Sequence, residues 1–135
     1  MSNEILEDLV GTVLAFAKAY SDWERGMAES GRSFNNPQLR EEHARILATF
    51  CTLKRRAYID GGVTFATPPT YSELDAEKID AVHMVTKSKA HVDTKVLKFL
   101  EYRFVVLKKR DGWRIDSLKC RMPPSTEWNN TLIGM

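Results

Sequence analysis

Apolar residues in the first part of the chain recur at steps of three and four positions. The stripe runs from Ile5 through Phe16 and Tyr20 to Met27. Because an α-helix completes one turn about every 3.6 residues, this spacing aligns the side chains on one face and predicts a helix over residues 3–27.

A second helix is predicted where Asn36 precedes Pro37. Asparagine is a favoured capping residue, proline fits the first helical position, and the apolar repeat that follows ends near Phe50. His43 falls on this apolar stripe. We therefore expect His43 to be a hydrogen-bonded core or boundary residue.

After Phe50 the pattern changes to β-branched and aromatic residues, a composition that is typical of strands. A short helical turn is expected to begin with Ser72 as its cap and to extend through Glu77. Strands are predicted over residues 52–65, 79–87, 90–96, 102–109 and 113–118.

The last two predicted strands are separated by residues 110–112. A two-residue turn would pair Leu107 with the charged Asp116, whereas a three-residue turn with Gly112 in the left-handed conformation keeps apolar residues opposite one another. We therefore favour the three-residue turn. It pairs Leu107 with Ile115 and Phe104 with Leu118.

Two helices followed by about four strands predict an α+β fold in which the helices cover one face of an antiparallel sheet. The chain has 135 residues, of which 43% are hydrophobic, and this suffices for a core that needs no disulfide or metal. We expect residues 1–135 to form one domain.

The net charge of +2 is unevenly distributed. Residues 1–50 hold 5 basic and 8 acidic side chains, whereas residues 81–122 hold 11 basic and 4 acidic ones. Alternation along strands would bring several basic side chains onto one sheet surface, either as a solvated face or as a patch that attracts an acidic partner. Binding of nucleic acid is disfavoured, because the net charge is small and no RNA-binding signature is present.

The N-terminal residues are acidic where a signal peptide would be basic, and no apolar run approaches the roughly 20 residues of a membrane span. We therefore expect a cytoplasmic protein that does not bind membranes. Cys51 and Cys120 are isolated and are expected to be reduced. Since the histidines and cysteines lack metal-ligand spacing and no phosphate-binding loop is present, neither a metal nor a cofactor is predicted.

Four stretches stand out by their order and spacing: residues 50–56, residues 68–71, residues 87–94, and the hairpin of residues 102–116 followed by Trp128 and Leu132. Together they resemble bacterial immunity proteins of the nuclear transport factor 2-like cone fold, over about residues 36–132. The resemblance implies helices packed on a curved antiparallel sheet. It also implies that the protein binds and neutralises the toxic domain of a cognate polymorphic toxin.

Within this resemblance, the concave sheet and its mouth are the expected contact surface. Tyr71 and Trp128 are expected to frame its rim, while Arg103, Arg114 and Lys119 contribute charge. A ligand-binding or dimerisation module, including a homodimer, is a further alternative. The expected core or cavity wall consists of Trp23, Phe50, Phe104, Trp113 and Ile115.

Two other interpretations concern short segments and single residues. Residues 68–71, Pro-Pro-Thr-Tyr, match a ligand of WW domains, but a rigid loop whose Tyr71 packs back on the sheet is favoured. An enzyme of the isomerase or dehydratase type is the alternative to an immunity protein, although no catalytic pair is recognisable by spacing. The acid and base candidates are Tyr58, Asp60, Asp80, His83, His91, Asp93 and Asp116.

Overall fold

The computed structural model describes residues 2–30, 37–54 and 69–131. In this part of the chain, two helices precede a five-stranded antiparallel sheet whose strands lie side by side in chain order. The elements are α1 (Asn3–Ser30), α2 (Pro37–Phe50), a 3₁₀ turn (Ala76–Lys78), β1 (Ile79–Thr86), β2 (Lys89–Thr94), β3 (Glu101–Lys109), β4 (Gly112–Arg121) and β5 (Asn129–Thr131).

Both predicted helices and the four strands after residue 78 are confirmed, with small shifts of their ends. The helix α1 continues to Ser30, three residues beyond the expected end, and β5 was not predicted. The 3₁₀ turn is capped by Asp75 and not by Ser72, because the Asp75 carboxylate accepts the backbone N–H groups of Glu77 and Lys78. The strand expected over residues 52–65 lies mostly outside the described residues.

The hairpin between β3 and β4 has two registers joined by a bulge. Phe104 faces Leu118 as predicted, but Leu107 faces Arg114, so the predicted pairing of Leu107 was wrong. The turn itself contains two residues. The bulge lies at Asp116, an additional residue of β4 between the two that face Val105 and Val106. The predicted positive φ of Gly112 is confirmed at 117°.

The bulge has a tertiary cause. Thr52 Oγ1 donates to Asp116 Oδ1 over 2.8 Å, and Lys54 Nζ donates to Asp116 Oδ2 over 3.1 Å. A bulge turns a side chain out of the regular alternation of a strand, so the Asp116 carboxylate is aimed at the chain that leaves α2.

The helices cover one face of the sheet, as predicted, and aromatic rings fill the space between the two layers. The Phe16 ring lies within 6.3 Å, centroid to centroid, of the rings of Tyr20, Phe50, Tyr71 and Phe104. The predicted core residues are confirmed, with Phe50 and Trp113 only partly buried. The buried members of that set are Trp23, Phe104 and Ile115.

Two buried polar groups tie the helices together and to the chain before the sheet. The Tyr20 hydroxyl and His43 Nε2 form a hydrogen bond of 3.0 Å, which confirms the predicted role of His43. The buried Glu24 carboxylate accepts the backbone N–H of Thr70 over 2.9 Å. No helix among the described residues combines the length and apolarity that crossing a bilayer requires.

Candidate functional site: the open face of the sheet

We call the sheet surface opposite the helices the open face. Val92, Phe104 and Leu118 point into the core, so their neighbours along β2, β3 and β4 point to the open face. The strand registers place four polar side chains in one row across this face: Asp93, Arg103, Lys119 and Asn130.

The open face carries an aromatic ring in contact with two arginines. The Cζ atom of Arg103 lies 4.6 Å from the centroid of the Trp128 ring, and that of Arg121 lies 4.2 Å from it. A guanidinium within about 6 Å of an indole centroid is attracted by the negative face of the ring. We call Trp128, Arg103, Arg121 and their carboxylate partners Asp93 and Glu101 the Trp128 cluster.

The carboxylates fix the position of both guanidinium groups. Arg103 donates from Nε and Nη2 to the two oxygens of Asp93, over 2.7 and 2.8 Å. Arg121 Nε donates to Glu101 Oε1 over 3.0 Å. Hydrogen bonding to Asp93 raises the pKa of Arg103 further above its usual range. Paired in this way, the arginines need little further ordering to meet another surface.

The structure brings three of the five predicted contact residues together on the open face. Arg103 and Trp128 belong to the Trp128 cluster, and Lys119 lies beside Arg103 and donates from Nζ to Asn130 Oδ1 over 2.8 Å. These three predicted residues therefore lie on one face of the sheet.

The other two predicted contact residues lie elsewhere. Arg114 pairs with Asp111 at the end of the hairpin and lines a cleft of about 580 Å³ beside Cys51. Tyr71 is 1% exposed and belongs to the core, so the expectation that it frames a rim needs correcting. The alternative, in which Tyr71 packs back on the sheet, is confirmed by its ring contacts with Tyr102 and Phe104.

Ion pairs distribute the positive charge of the sheet unevenly between its arginines and its lysines. All four carboxylates of residues 81–122 form ion pairs, and three of their partners are arginines of the same segment. The charge offered to a partner therefore comes from the lysines more than from the arginines. These pairs are Asp93 with Arg103, Glu101 with Arg121, Asp111 with Arg114, and Asp116 with Lys54.

Three of the acid and base candidates meet on the open face. His83 faces His91 across β1 and β2, and His83 Nε2 lies 3.9 Å from Asp93 Oδ2. Burial, and then the charge of Arg103, lower the pKa of His91. Asp93 already accepts two hydrogen bonds from Arg103, one on each of its carboxylate oxygens.

The remaining candidates are dispersed. Asp80 is exposed on β1, Asp116 is held by Thr52 and Lys54, and Tyr58 and Asp60 lie outside the described residues. Among the residues that the structure describes, no three acidic, histidine or cysteine side chains are grouped as a metal site would require.

Sequence reasoning missed Arg121 and Glu101 as members of the site. Arg121 lies two positions after Lys119 on the same strand, so alternation alone places both side chains on one face. No sequence pattern indicated that Arg121 contacts Trp128, because the position of Trp128 depends on the path of residues 122–128, which lack a periodic pattern.

A protein-family model described as "NTF2 fold immunity protein" matches residues 9–131, from within α1 to the last residue of β5. The predicted α+β fold of the nuclear transport factor 2 type is confirmed by this match and by the observed helices and sheet. No curated protein and no solved structure matches the chain.

Proposed function

This chain belongs to the NTF2-fold immunity proteins, and we propose that it neutralises a cognate toxin by binding the toxin's active domain in a stoichiometric complex. Membership of the family makes protection from a toxin its general function. The mode of protection, the contact surface and a cytoplasmic site of action are our proposal.

The Trp128 cluster carries the proposal. Tryptophan and arginine are the residues most enriched at the energetic centres of protein interfaces, and such centres are packed in advance of binding. Here the ring of Trp128 is half-buried, and both of its arginine neighbours are anchored by carboxylates. Binding of a partner to this surface therefore costs the immunity protein little conformational entropy.

The proposal includes no chemical step by this chain. The space between the helices and the sheet is occupied by packed rings, and the Asp93 carboxylate is engaged by Arg103. Occlusion of the toxin's working surface is sufficient for protection, because an enzyme whose site is covered cannot reach its substrate.

The test requires the cognate toxin domain, which is to be sought among the genes that neighbour the gene for this protein. Co-expression is expected to rescue growth, and the purified proteins are expected to form a complex of fixed ratio in light scattering. Trp128→Ala should weaken the complex by about 30-fold or more, since it removes the ring between two arginines. Failure of the wild-type pair to associate would refute the proposed function.

A matched pair of arginine variants locates the surface. Arg121→Ala removes an arginine held by Glu101 on the open face, whereas Arg45→Ala removes one paired with Glu41 on α2. We expect only Arg121→Ala to weaken the complex, as measured by calorimetry. Equal effects of the two variants would show that the open face is not the contact surface.

A further inference from the structure

The segment between β4 and β5, residues 122–128, has little support of its own. Residues 122–127 are all exposed, and Trp128 is half-buried. Within the segment, the Ser125 N–H donates to the Met122 carbonyl over 3.0 Å, and the Glu127 N–H donates to Ser125 Oγ over 3.3 Å. Neither bond connects the segment to the sheet. Exposed chain with so few buried contacts is easily displaced.

The side chain of Arg121 connects this segment to the sheet. Arg121 Nη1 donates to the Thr126 carbonyl over 3.4 Å. In the described part of the chain, this is the one hydrogen bond that a side chain from outside the segment makes to it. The same guanidinium lies against the Trp128 ring, with Cζ 4.2 Å from the ring centroid.

A third partner holds the guanidinium itself. Glu101, which faces Arg121 across β3 and β4, accepts from Nε over 3.0 Å. One planar group therefore meets a carboxylate on the sheet, a carbonyl of the segment and an aromatic ring. Arginine suits this arrangement because its donors have a fixed planar geometry, whereas lysine has a single ammonium group on a flexible stem.

Arg103 contacts the same ring but makes no hydrogen bond to the segment. Its Nε and Nη2 both donate to Asp93, and its Cζ lies 4.6 Å from the ring centroid. Arg103 thus offers a surface on which the ring rests. Arg121 joins that surface to the backbone that carries the ring.

We propose that Arg121 is a positioning residue, which holds residues 122–128 against the sheet and thereby places the Trp128 ring in the contact surface for the toxin domain. The placement is a property of the free protein, and its effect on binding rests on the proposed function. Without Arg121 the ring should sample several orientations, and a partner would have to order it at a cost in affinity.

The first test observes the ring in the free protein. The chain has three tryptophans, so labelling with 5-fluorotryptophan gives three ¹⁹F signals, and Trp128→Phe identifies the signal of residue 128. Arg121→Ala and Arg121→Lys should both shift this signal towards its position in the unfolded protein, because neither side chain can meet all three partners. A wild-type position in either variant would overturn the proposal.

Two controls accompany the fluorine spectra. Arg114→Ala removes another ion-paired arginine of β4, beside the hairpin turn, and should leave the Trp128 signal in place. The signal of the buried Trp23 should not move in any variant, which shows that the core remains folded.

The second test is a double-mutant cycle against the purified toxin domain. Arg121→Ala is expected to raise Kd by about tenfold in the wild-type background and by less than about twofold in Trp128→Ala. Additive effects would overturn the proposal, because Arg121 would then act on the partner without Trp128. If the wild type does not bind the toxin domain, the proposed function fails, while the fluorine spectra still decide whether Arg121 places the ring.

Discussion

At the scale of single residues, burial of His43 makes stability depend on pH. Burial lowers the pKa of His43 from its ordinary value of 6.5 to about 4. The unfolded chain therefore binds a proton in a range where the folded protein does not. The free energy of unfolding should be unaffected by this group above pH 6.5 and should fall by roughly 3 kcal/mol as the pH drops towards 4.

Denaturant titrations of the wild type and of His43→Gln at several pH values check this expectation. The glutamine variant cannot titrate, so its stability should fall less steeply over the same pH range. Identical slopes for the wild type and the variant would show that folding does not lower the pKa of His43.

Glu24 shows what sequence can and cannot indicate about a single residue. It lies four positions after Tyr20 and three before Met27, which places it on the buried stripe of α1. The stripe alone therefore predicts burial of its carboxylate. Its partner Thr70 is 46 residues away, and no periodic pattern identifies such a distant donor.

At the scale of elements, two glycines with equally open surroundings predict opposite effects of alanine. A Cβ atom added to Gly11 in α1 or to Gly112 in the hairpin would meet nothing within 4 Å. Gly112 has a φ of 117°, whereas Gly11 is helical. Gly11→Ala should stabilise the protein by about 0.5–1 kcal/mol, and Gly112→Ala should destabilise it by about 1 kcal/mol or more.

Thermal unfolding of the two single variants and of the double variant tests this prediction. The sites share no contacts within 4 Å of the added atoms, so the two effects should add. A stabilising Gly112→Ala would mean that the hairpin end does not need the positive φ.

Periodicity predicted the helices and most strands, because each element has a buried stripe or an alternating face. It failed for the register near Leu107. That register depends on the bulge at Asp116, which is fixed by hydrogen bonds from Thr52 and Lys54 and not by the strand pattern. The short β5 was missed because three polar residues carry no alternation.

At the scale of the whole molecule, charge is divided between the two layers. The acidic excess of residues 1–50 lies on the helices, and the basic excess of residues 81–122 lies in the sheet. Such a separation orients an acidic partner towards the sheet before contact. Raising the salt from about 50 mM to about 500 mM should therefore slow association with the toxin domain by about tenfold or more.

Stopped-flow mixing measures the association rate. The control is the dissociation rate, measured after dilution of the complex. Dissociation should change little, because the Trp128 cluster pairs its charges internally. An association rate that does not respond to salt would show that the lysines do not steer the partner.

The α+β fold and the aromatic core followed from the sequence, and three of the predicted contact residues lie together on the open face. Tyr71 was misplaced, because an aromatic residue after two prolines fits a rim and a core equally well until its ring contacts are known. Alternation along β4 could have placed Arg121 on the open face, whereas Glu101 required the strand register, which brings distant positions into pairs.

The order of the strands bears on how soon the protein is ready to act. Each strand of the sheet pairs with the one synthesised immediately before it. Loops closed in this way are short, and short loops reach native pairing quickly. Trp128 comes just before β5, the last strand in the meander. A nascent chain can therefore assemble four strands in succession while the ring that completes the cluster is still to arrive.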